Sequence, residues 1–280
     1  MNLIRKLLKL SGTGLTRNQY YESMNMALKR MNNGYTMLHY PYYVNDSDSF
    51  MKAQANLTDY CISLLDPLEN KEVVEIGCGN GVQSIYICQN FKPARITGID
   101  LNEANIKIAE SEKERANEEK VRFIVDDAQN LKHIPSESVD VVLNIESAFH
   151  YPDKTAFLKE IHRVLKPGGQ FLIADLLSTC NERSRITKLW GKSMSQHFWN
   201  HDRYHEEFKK TELEITRSED ISAHIRKGWS LYRNWLPKIE RRSFFENIAF
   251  RIFYVLNVRF NVYFLKKQQY QVFTGYKHVA

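Results

Sequence analysis

Cysteine is scarce in this chain, and none of Cys61, Cys78, Cys88 and Cys180 falls in a C-x-x-C pair. Their spacings fit neither a zinc site nor a disulfide framework, so no metal is expected and a reducing, cytoplasmic setting is the simplest one. No Lys/Arg-rich block and no zinc-finger or RNP pattern is present. The formal net charge is nevertheless +6, carried by basic residues spread thinly along the chain; nucleic acid is therefore not an expected partner. There is no internal repeat and no low-complexity linker. A long uncharged apolar run is missing too. Phe244 to Leu265 is rich in Phe, Ile and Val, but Glu246, Arg251 and Arg259 interrupt it, which argues against a simple bilayer span. It is read as a cap helix, with a lipid-facing entrance for a hydrophobic substrate as the alternative. Met1 to Leu10 is too short and too charged to span a bilayer, and no small-residue cleavage site follows it. On a helix, Leu3, Leu7 and Leu10 share a face that packs on the domain; the alternative is a weak membrane-surface contact, which would make the protein peripheral to a membrane.

What is present is ordinary for a globular protein: 280 residues, 43% hydrophobic and 26% charged, enough for one large domain or one domain with a cap. The middle third alternates short β-branched runs with helical stretches, the pattern of parallel β-α-β units. Strands are expected at Glu72–Ile76, Arg95–Ile99, Val121–Val125, Val139–Leu143 and Gln170–Leu176. Helices are expected at Val82–Asn90, Glu103–Asn117 (with Ile106 and Ile108 turned inward) and Lys154–Leu165, the last stopped by a turn at Lys166–Gly169. Strand interiors carry few polar residues, so both faces of the sheet should be covered by helices and ligands should bind beyond the carboxyl ends of the strands. Residues 1–70 are read as a helical, Tyr-rich segment and 71–178 as the α/β core. Residues 179–280 are read as helical cap insertions plus two further strands, near Leu213–Thr216 and Gln271–Tyr276.

The densest chemical signal is Val73-Val74-Glu75-Ile76-Gly77-Cys78-Gly79-Asn80-Gly81. A strand enters three glycines at alternate positions and then a helix, whose first turn supplies free N–H donors and positive potential. A dinucleotide fingerprint, G-x-G-x-x-G, needs a glycine where this chain has Val82; the departure counts against a nicotinamide cofactor and suits a ligand with an amino-acid tail. Asp100 ends the second strand about twenty residues on, placed to accept hydrogen bonds from both ribose hydroxyls. Its alternative role is to cap the helix that begins at Glu103. Asp126-Asp127-Ala128 follows the third strand, where a carboxylate can accept the exocyclic amine of adenine or simply sit in a solvated turn.

Glu75 to Gly81, Asp100, Asp127-Ala128 and Leu165-Lys166-Pro167-Gly168-Gly169 together resemble the class I methyltransferases that use S-adenosylmethionine. Glu146 to Asp153 and Ile173-Ala174-Asp175 are similar, more narrowly, to small-molecule methyltransferases of the γ-tocopherol, ubiquinone/menaquinone and sugar O-methyltransferase type. The resemblance covers about residues 50–178. It implies a doubly wound, mostly parallel seven-stranded α/β sheet with its last strand antiparallel, S-adenosyl-L-methionine as cofactor, and a segment around Gly34–Tyr40 that closes over it. It further implies cofactor-binding roles for Glu75, Gly77, Cys78, Gly79, Asp100, Leu101, Asp127, Ala128 and Asn144. His150 and Asp175 become candidates for acid/base work on a hydroxyl acceptor. Phe149 stands where some relatives have a second His, which puts any two-His scheme in doubt. The expected acceptor is a hydroxyl of an aromatic, prenylated, glycosylated or lipid-like metabolite. The alternatives are N- or C-methylation, aminopropyl transfer on the same fold, and a non-catalytic module that binds the cofactor.

Overall fold

In the computed structural model, residues 17–179, 195–232 and 268–279 are described. The expected helix at Met1–Leu10 and the apolar run Phe244–Leu265 lie outside them, and no helix among the described residues is long and apolar enough to cross a membrane. The chain order is α1 (Arg17–Asn32), α2 (Phe50–Ser63), β1 (Glu72–Ile76), α3 (Val82–Phe91), β2 (Arg95–Asp100), α4 (Glu103–Ala116), β3 (Val121–Val125) and β4 (Val139–Ile145). A 3-10 turn (Ala148–His150), α5 (Lys154–Val164), β5 (Leu165–Ser178), α6 (His201–Phe208), β6 (Leu213–Asp220), α7 (Ser222–Tyr232) and β7 (Gln268–Lys277) follow.

The seven strands form one sheet in the order β3-β2-β1-β4-β5-β7-β6. The pairs from β3 through β5 are parallel, and β7 runs antiparallel to both its neighbours, β5 and β6. This is the doubly wound α/β architecture. Strand order reverses between β1 and β4, and at such a reversal the connections leave in opposite directions and open a crevice beyond the strand tips.

Burial on both faces explains the unbroken apolar runs. One face buries Val73, Ile96, Leu143 and Leu172 against Leu57 of α2, Ile87 of α3, Ala109 of α4 and Ile225 of α7. The opposite face buries Val74, Val142, Phe171 and Ile173 against Phe157, Leu158 and Ile161 of α5 and Tyr204 and Phe208 of α6. Each fully buried Leu or Phe of this kind contributes about 1.5–3 kcal/mol through removal of apolar surface from water.

Three local readings of the sequence need correction. Ile108 is only half-buried; the inward stripe of α4 is Asn105, Ile106, Ala109 and Glu112, because residues two apart on a helix lie on different faces. The helix is capped by Asn102, which accepts the Ala104 N–H at 3.0 Å, so Asp100 is not the cap. Lys166–Gly169 does not precede β5 but loops out within it, between the pairs Val139–Leu165 and Val141–Gln170, with Gly168 at φ +75°.

Candidate active site

A cavity of about 420 Å³ opens at the tips of β1 to β4. Its floor is the turn after β1. The Gly77 and Cys78 N–H groups both donate to the Ile99 carbonyl, at 2.6 and 2.9 Å, which folds the turn across the end of β2. Gly77 has φ +80°, and a Cβ there would lie 2.1 Å from the Ser147 Oγ; Gly81 has φ +77°, and a Cβ there would meet the Phe123 ring at 2.5 Å. Both glycines are therefore required by conformation and by close approach. Gly81 does the helix-packing work that the missing third glycine does in a dinucleotide fingerprint, since its Cα also faces the Ala109 methyl of α4.

Eight of the expected site residues line this cavity: Gly77, Cys78, Gly79, Asp100, Leu101, Asp127, Ala128 and His150. Asp100 is held by two backbone donors, Gly79 N–H to Oδ2 at 3.0 Å and Asn102 N–H to Oδ1 at 2.8 Å. Burial raises its pKa, against the lowering effect of those two bonds. Asp127 accepts the Gln129 N–H at 2.9 Å and its side-chain amide at 3.0 Å, which fixes the carboxylate at the tip of β3. Asp126, beside it, is buried and committed to His133 and to the Asp127 amide, so of the two neighbours Asp127 is the more exposed.

The other three expected residues stand behind the wall. Glu75 is buried beneath the glycine turn, hydrogen-bonded by Ser84, with burial pushing its pKa up to about 7. Asn144 ties the tips of β1 and β4 together, donating to the Ile76 carbonyl at 2.9 Å and the Ser147 Oγ at 2.7 Å. Asp175 was expected to face the cavity with His150. Alternation along β5 instead puts it on the side of Phe171, Ile173 and Leu177, under α5 and α6. There it is fully buried and paired with Lys154 at 2.7 Å, so it is not available as an acid or base toward a ligand.

Sequence reasoning missed the residues that complete the wall above β4. Tyr21 of α1 points its hydroxyl at the His150 Nε2, 2.8 Å away, with the two rings edge-on at 5.5 Å. Burial holds the Tyr21 phenol well above its ordinary pKa, so the hydroxyl keeps its proton and can donate to Nε2 in the tautomer that leaves a lone pair there. The His150 Nδ1 lies 3.4 Å from the Ser195 carbonyl, which favours the tautomer with its proton there. Glu146, just past β4, has φ +60° and accepts the Tyr40 N–H at 2.8 Å; burial pushes its pKa up to about 8. His39 also lines the cavity, but burial lowers it to about 4 and keeps it neutral. It is packed against Met37 and Thr58, with Gln54 pinning the adjacent backbone by bonds to the Met37 and His39 carbonyls.

Helix α1 is held over the cavity by amides rather than by apolar packing alone. Asn80 in the glycine turn donates to the Asn25 Oδ1 at 2.8 Å, and Asn25 donates to Asn105 of α4 at 3.2 Å. The signal for this was an asparagine among the Met and Leu residues of α1; its partners, 55 and 80 positions away, were not readable.

The donor set suits an adenosyl sulfonium. Asp100 offers two carboxylate oxygens for a vicinal diol, Asp127 an acceptor for an amine, and the glycine turn room for close approach. Three aspartates line the cavity (Asp100, Asp126 and Asp127), against one Lys or Arg among the described residues, Arg17; Glu146, pushed up to about 8 by burial, is not counted among the charges. That balance favours a cationic ligand.

Comparison with known proteins agrees with this chemistry. The family described as "Methyltransferase domain" matches residues 74–173. Similar curated proteins include the phthiotriol/phenolphthiotriol dimycocerosates methyltransferase of Mycobacterium tuberculosis, 42% identical over 130 residues, 46% of each chain. The fatty-acid O-methyltransferase of Mycolicibacterium smegmatis is 43% identical over 108 residues, covering 39% of this chain and 38% of that one. The 27-O-demethylrifamycin SV methyltransferase of Amycolatopsis mediterranei is 28% identical over 200 residues, 69% of this chain and 72% of that one. The match to the first two spans less than half their length. Among solved structures, Haemonchus contortus phosphoethanolamine N-methyltransferase 2 in complex with S-adenosyl-L-methionine superposes with a TM-score of 0.78 at 18% identity, over 99% of this chain and 60% of that one, and so shares the fold. Glycine turn, strand-tip carboxylates and sheet order converge on residues 74–173, the stretch that matches the methyltransferase-domain family.

Proposed function

We propose that this chain transfers a methyl group from S-adenosylmethionine to an oxygen of a lipid-like or polyketide-like small molecule, with His150 as the base. The observation that carries the reading is the Tyr21–His150 contact of 2.8 Å on the wall of the cavity whose floor is the glycine turn. The oxygen acceptor is supported by the relatives named for a fatty acid and for 27-O-demethylrifamycin SV.

When bound, the cofactor supplies an activated methyl on a sulfonium, which an acceptor atom displaces. The chain supplies grip and alignment. Asp100 takes the ribose hydroxyls, Asp127 with Ala128 and Leu101 the adenine, and Gly77 to Gly79 the amino-acid tail. Glu75 and Asn144 act from behind by holding the turn in shape. Holding donor and acceptor in register accounts for up to about 7–11 kcal/mol of barrier reduction in favourable cases. His150, as the neutral tautomer with its lone pair on Nε2, takes the acceptor proton, and Tyr21 orients that lone pair until the acceptor hydroxyl replaces it. We place this reaction in the cytoplasm, at most peripheral to a membrane surface.

The test is a methyl-transfer assay with labelled S-adenosylmethionine and a panel of fatty acids, hydroxylated polyketides and, as controls, amines. Labelled ester or ether is the expected product. Label confined to the amines would replace the oxygen assignment, and saturable S-adenosylhomocysteine binding without transfer to any panel member would favour a binding module.

A further inference from the structure

The wall that carries His150 is backed by an ionic cluster that the scheme above does not use. Lys154, the first residue of α5, and Asp175 of β5 are both fully buried, with Nζ and Oδ2 2.7 Å apart. Tyr204 of α6 donates its hydroxyl to the same Oδ2 at 2.6 Å. The ammonium also lies 3.3 Å from that hydroxyl oxygen and over the Trp199 ring, 5.7 Å from its centroid. With Oδ2 engaged twice, Oδ1 is left for the Phe149 N–H, which it accepts at 2.8 Å. The Phe149 carbonyl in turn accepts the His197 N–H at 2.7 Å. Both backbone polar groups of residue 149 are therefore fixed, one by a charged acceptor, and the next residue along is His150.

Stability is a poor account of such a cluster. Removing two charges from water costs about as much as their attraction returns, and well-packed apolar residues of similar volume do as well or better. What an apolar set does not supply is an anionic acceptor aimed at one amide. A charge-assisted bond is about twice as strong as a neutral one.

We propose that Lys154, Asp175 and Tyr204 form a buried clamp that holds the Ala148–His150 turn, and are positioning residues for methyl transfer through His150. The clamp joins α5, β5 and α6 on the face of the sheet away from the cofactor turn's helix. It acts on the acceptor end and leaves the cofactor end untouched. The catalytic consequence rests on the role given to His150 above; the grip on the turn does not.

The test uses the full chain and two readouts, the first on protein loaded with S-adenosylhomocysteine and the second on protein loaded with S-adenosylmethionine as methyl donor. The first is hydrogen–deuterium exchange of the peptide covering residues 146–151. Exchange should speed up in Asp175→Ala and in Lys154→Met. In the double variant Lys154→Met/Asp175→Asn, which has no buried charge and keeps an oxygen facing the Phe149 amide, it should return most of the way to the wild-type rate. The second is single-turnover transfer to the hydroxylated panel member that the wild type methylates fastest. Lys154→Met should lower the rate about 10- to 100-fold, as a misplacement of about 1 Å does, with S-adenosylhomocysteine affinity within about twofold; the double variant should recover most of the loss. Tyr204→Phe, which deletes one hydroxyl, keeps the proposal testable if the charge variants fail to fold: it should slow transfer about threefold and raise exchange of the same peptide. Unchanged exchange in every variant, or a double variant no better than Lys154→Met in both readouts, overturns the clamp. Normal transfer by His150→Ala with exchange responding as described would overturn the role of His150 and leave the clamp standing.

Discussion

The two halves of the cavity are built on different plans. The cofactor half, over β1, β2 and β3, is made by short segments that each end a strand: Gly77 to Gly81, Asp100 and Asp127. Its hydrogen bonds run mostly from backbone to a nearby carboxylate or carbonyl, as from Gly79 and Asn102 to Asp100. The acceptor half, over β4 and β5, is assembled from distant side chains. Tyr21 and His150 are 129 positions apart, and Lys154 and Tyr204 are 50 apart. A common cofactor can be gripped by a fixed set of local turns. A particular acceptor needs side chains brought in from variable segments on a rigid sheet. If this division is real, substitutions in one half should leave the function of the other intact, and each variant below can break or sharpen it.

The largest effect is expected from His150→Ala. Removing the base should lower the rate of methyl transfer to a hydroxyl acceptor about 10²- to 10⁴-fold, the usual span for a positioned acid/base group. The affinity for S-adenosylhomocysteine, measured by calorimetry, should stay within about twofold, because His150 follows β4 while the carboxylates given the cofactor stand at the ends of β2 and β3. A variant that lost cofactor affinity and transfer in equal measure would erase the boundary between the halves.

Asp100→Ala should do the converse. Hydrogen bonds to a charged group contribute about 1.5–3 kcal/mol, so loss of the ribose contact should weaken cofactor binding about 10- to 100-fold. Transfer at saturating cofactor should fall much less. Calorimetry with adenosine beside 2′-deoxyadenosine sharpens the reading: the wild type should discriminate between them and the variant should not. Equal discrimination by both proteins would refute the ribose assignment.

How much of this was legible in the sequence follows the same division. The sheet, its strand tips and eight of the lining residues were readable because each is announced locally: a β-branched run, a glycine turn with its helix, an acid where a strand stops. Asp175 was read to the right strand end and the wrong face. The period of two along β5 places it with Ile173 and Leu177, but which face carries α5 and α6 is a property of the whole sheet. Tyr21 gave no signal, since one tyrosine in a Tyr-rich helix points nowhere until α1 is docked. Ile108 was misplaced by a plain error of period, since Ile106 and Ile108 cannot share the buried face of α4.

Tyr21→Phe is a smaller change and tests whether α1 belongs to the acceptor half alone. It deletes the hydroxyl 2.8 Å from the His150 Nε2 and keeps the ring that packs on the imidazole. Loss of one neutral hydrogen bond contributes about 0.5–1.5 kcal/mol, so transfer should slow about 3- to 10-fold. Cofactor affinity should not change, because the Asn80–Asn25–Asn105 chain that docks α1 is intact. An affinity loss as large as the rate loss would instead make Tyr21 part of the cofactor grip.

The smallest effect concerns Glu146, which stands on the seam between the halves, and it appears in stability rather than rate. Burial pushes this carboxyl up to about 8 from an ordinary 4.5, with the Tyr40 amide and the Tyr270 phenol beside it and the negative charge of Asp175 adding to the rise. Its folded pKa lies above its unfolded one, so between those values the folded chain holds a proton that the unfolded chain has released. Stability from this group is fully present below about pH 4.5, declines as pH rises, and is lost by about pH 8. Glu146→Gln carries no titrating proton and keeps an oxygen for the Tyr40 N–H. Glu75, raised to about 7 by its own burial, titrates in the same window but is common to both proteins and cancels in their difference. The melting temperature of the variant relative to wild type should therefore rise steadily from pH 5 to about pH 8.5 and level off above it. A difference that stays flat across this range would mean that Glu146 is ionised in the folded protein. The carboxylate would then stand with Asp100 and Asp127 as part of the charge that attracts the sulfonium, and the seam would belong to the cofactor half.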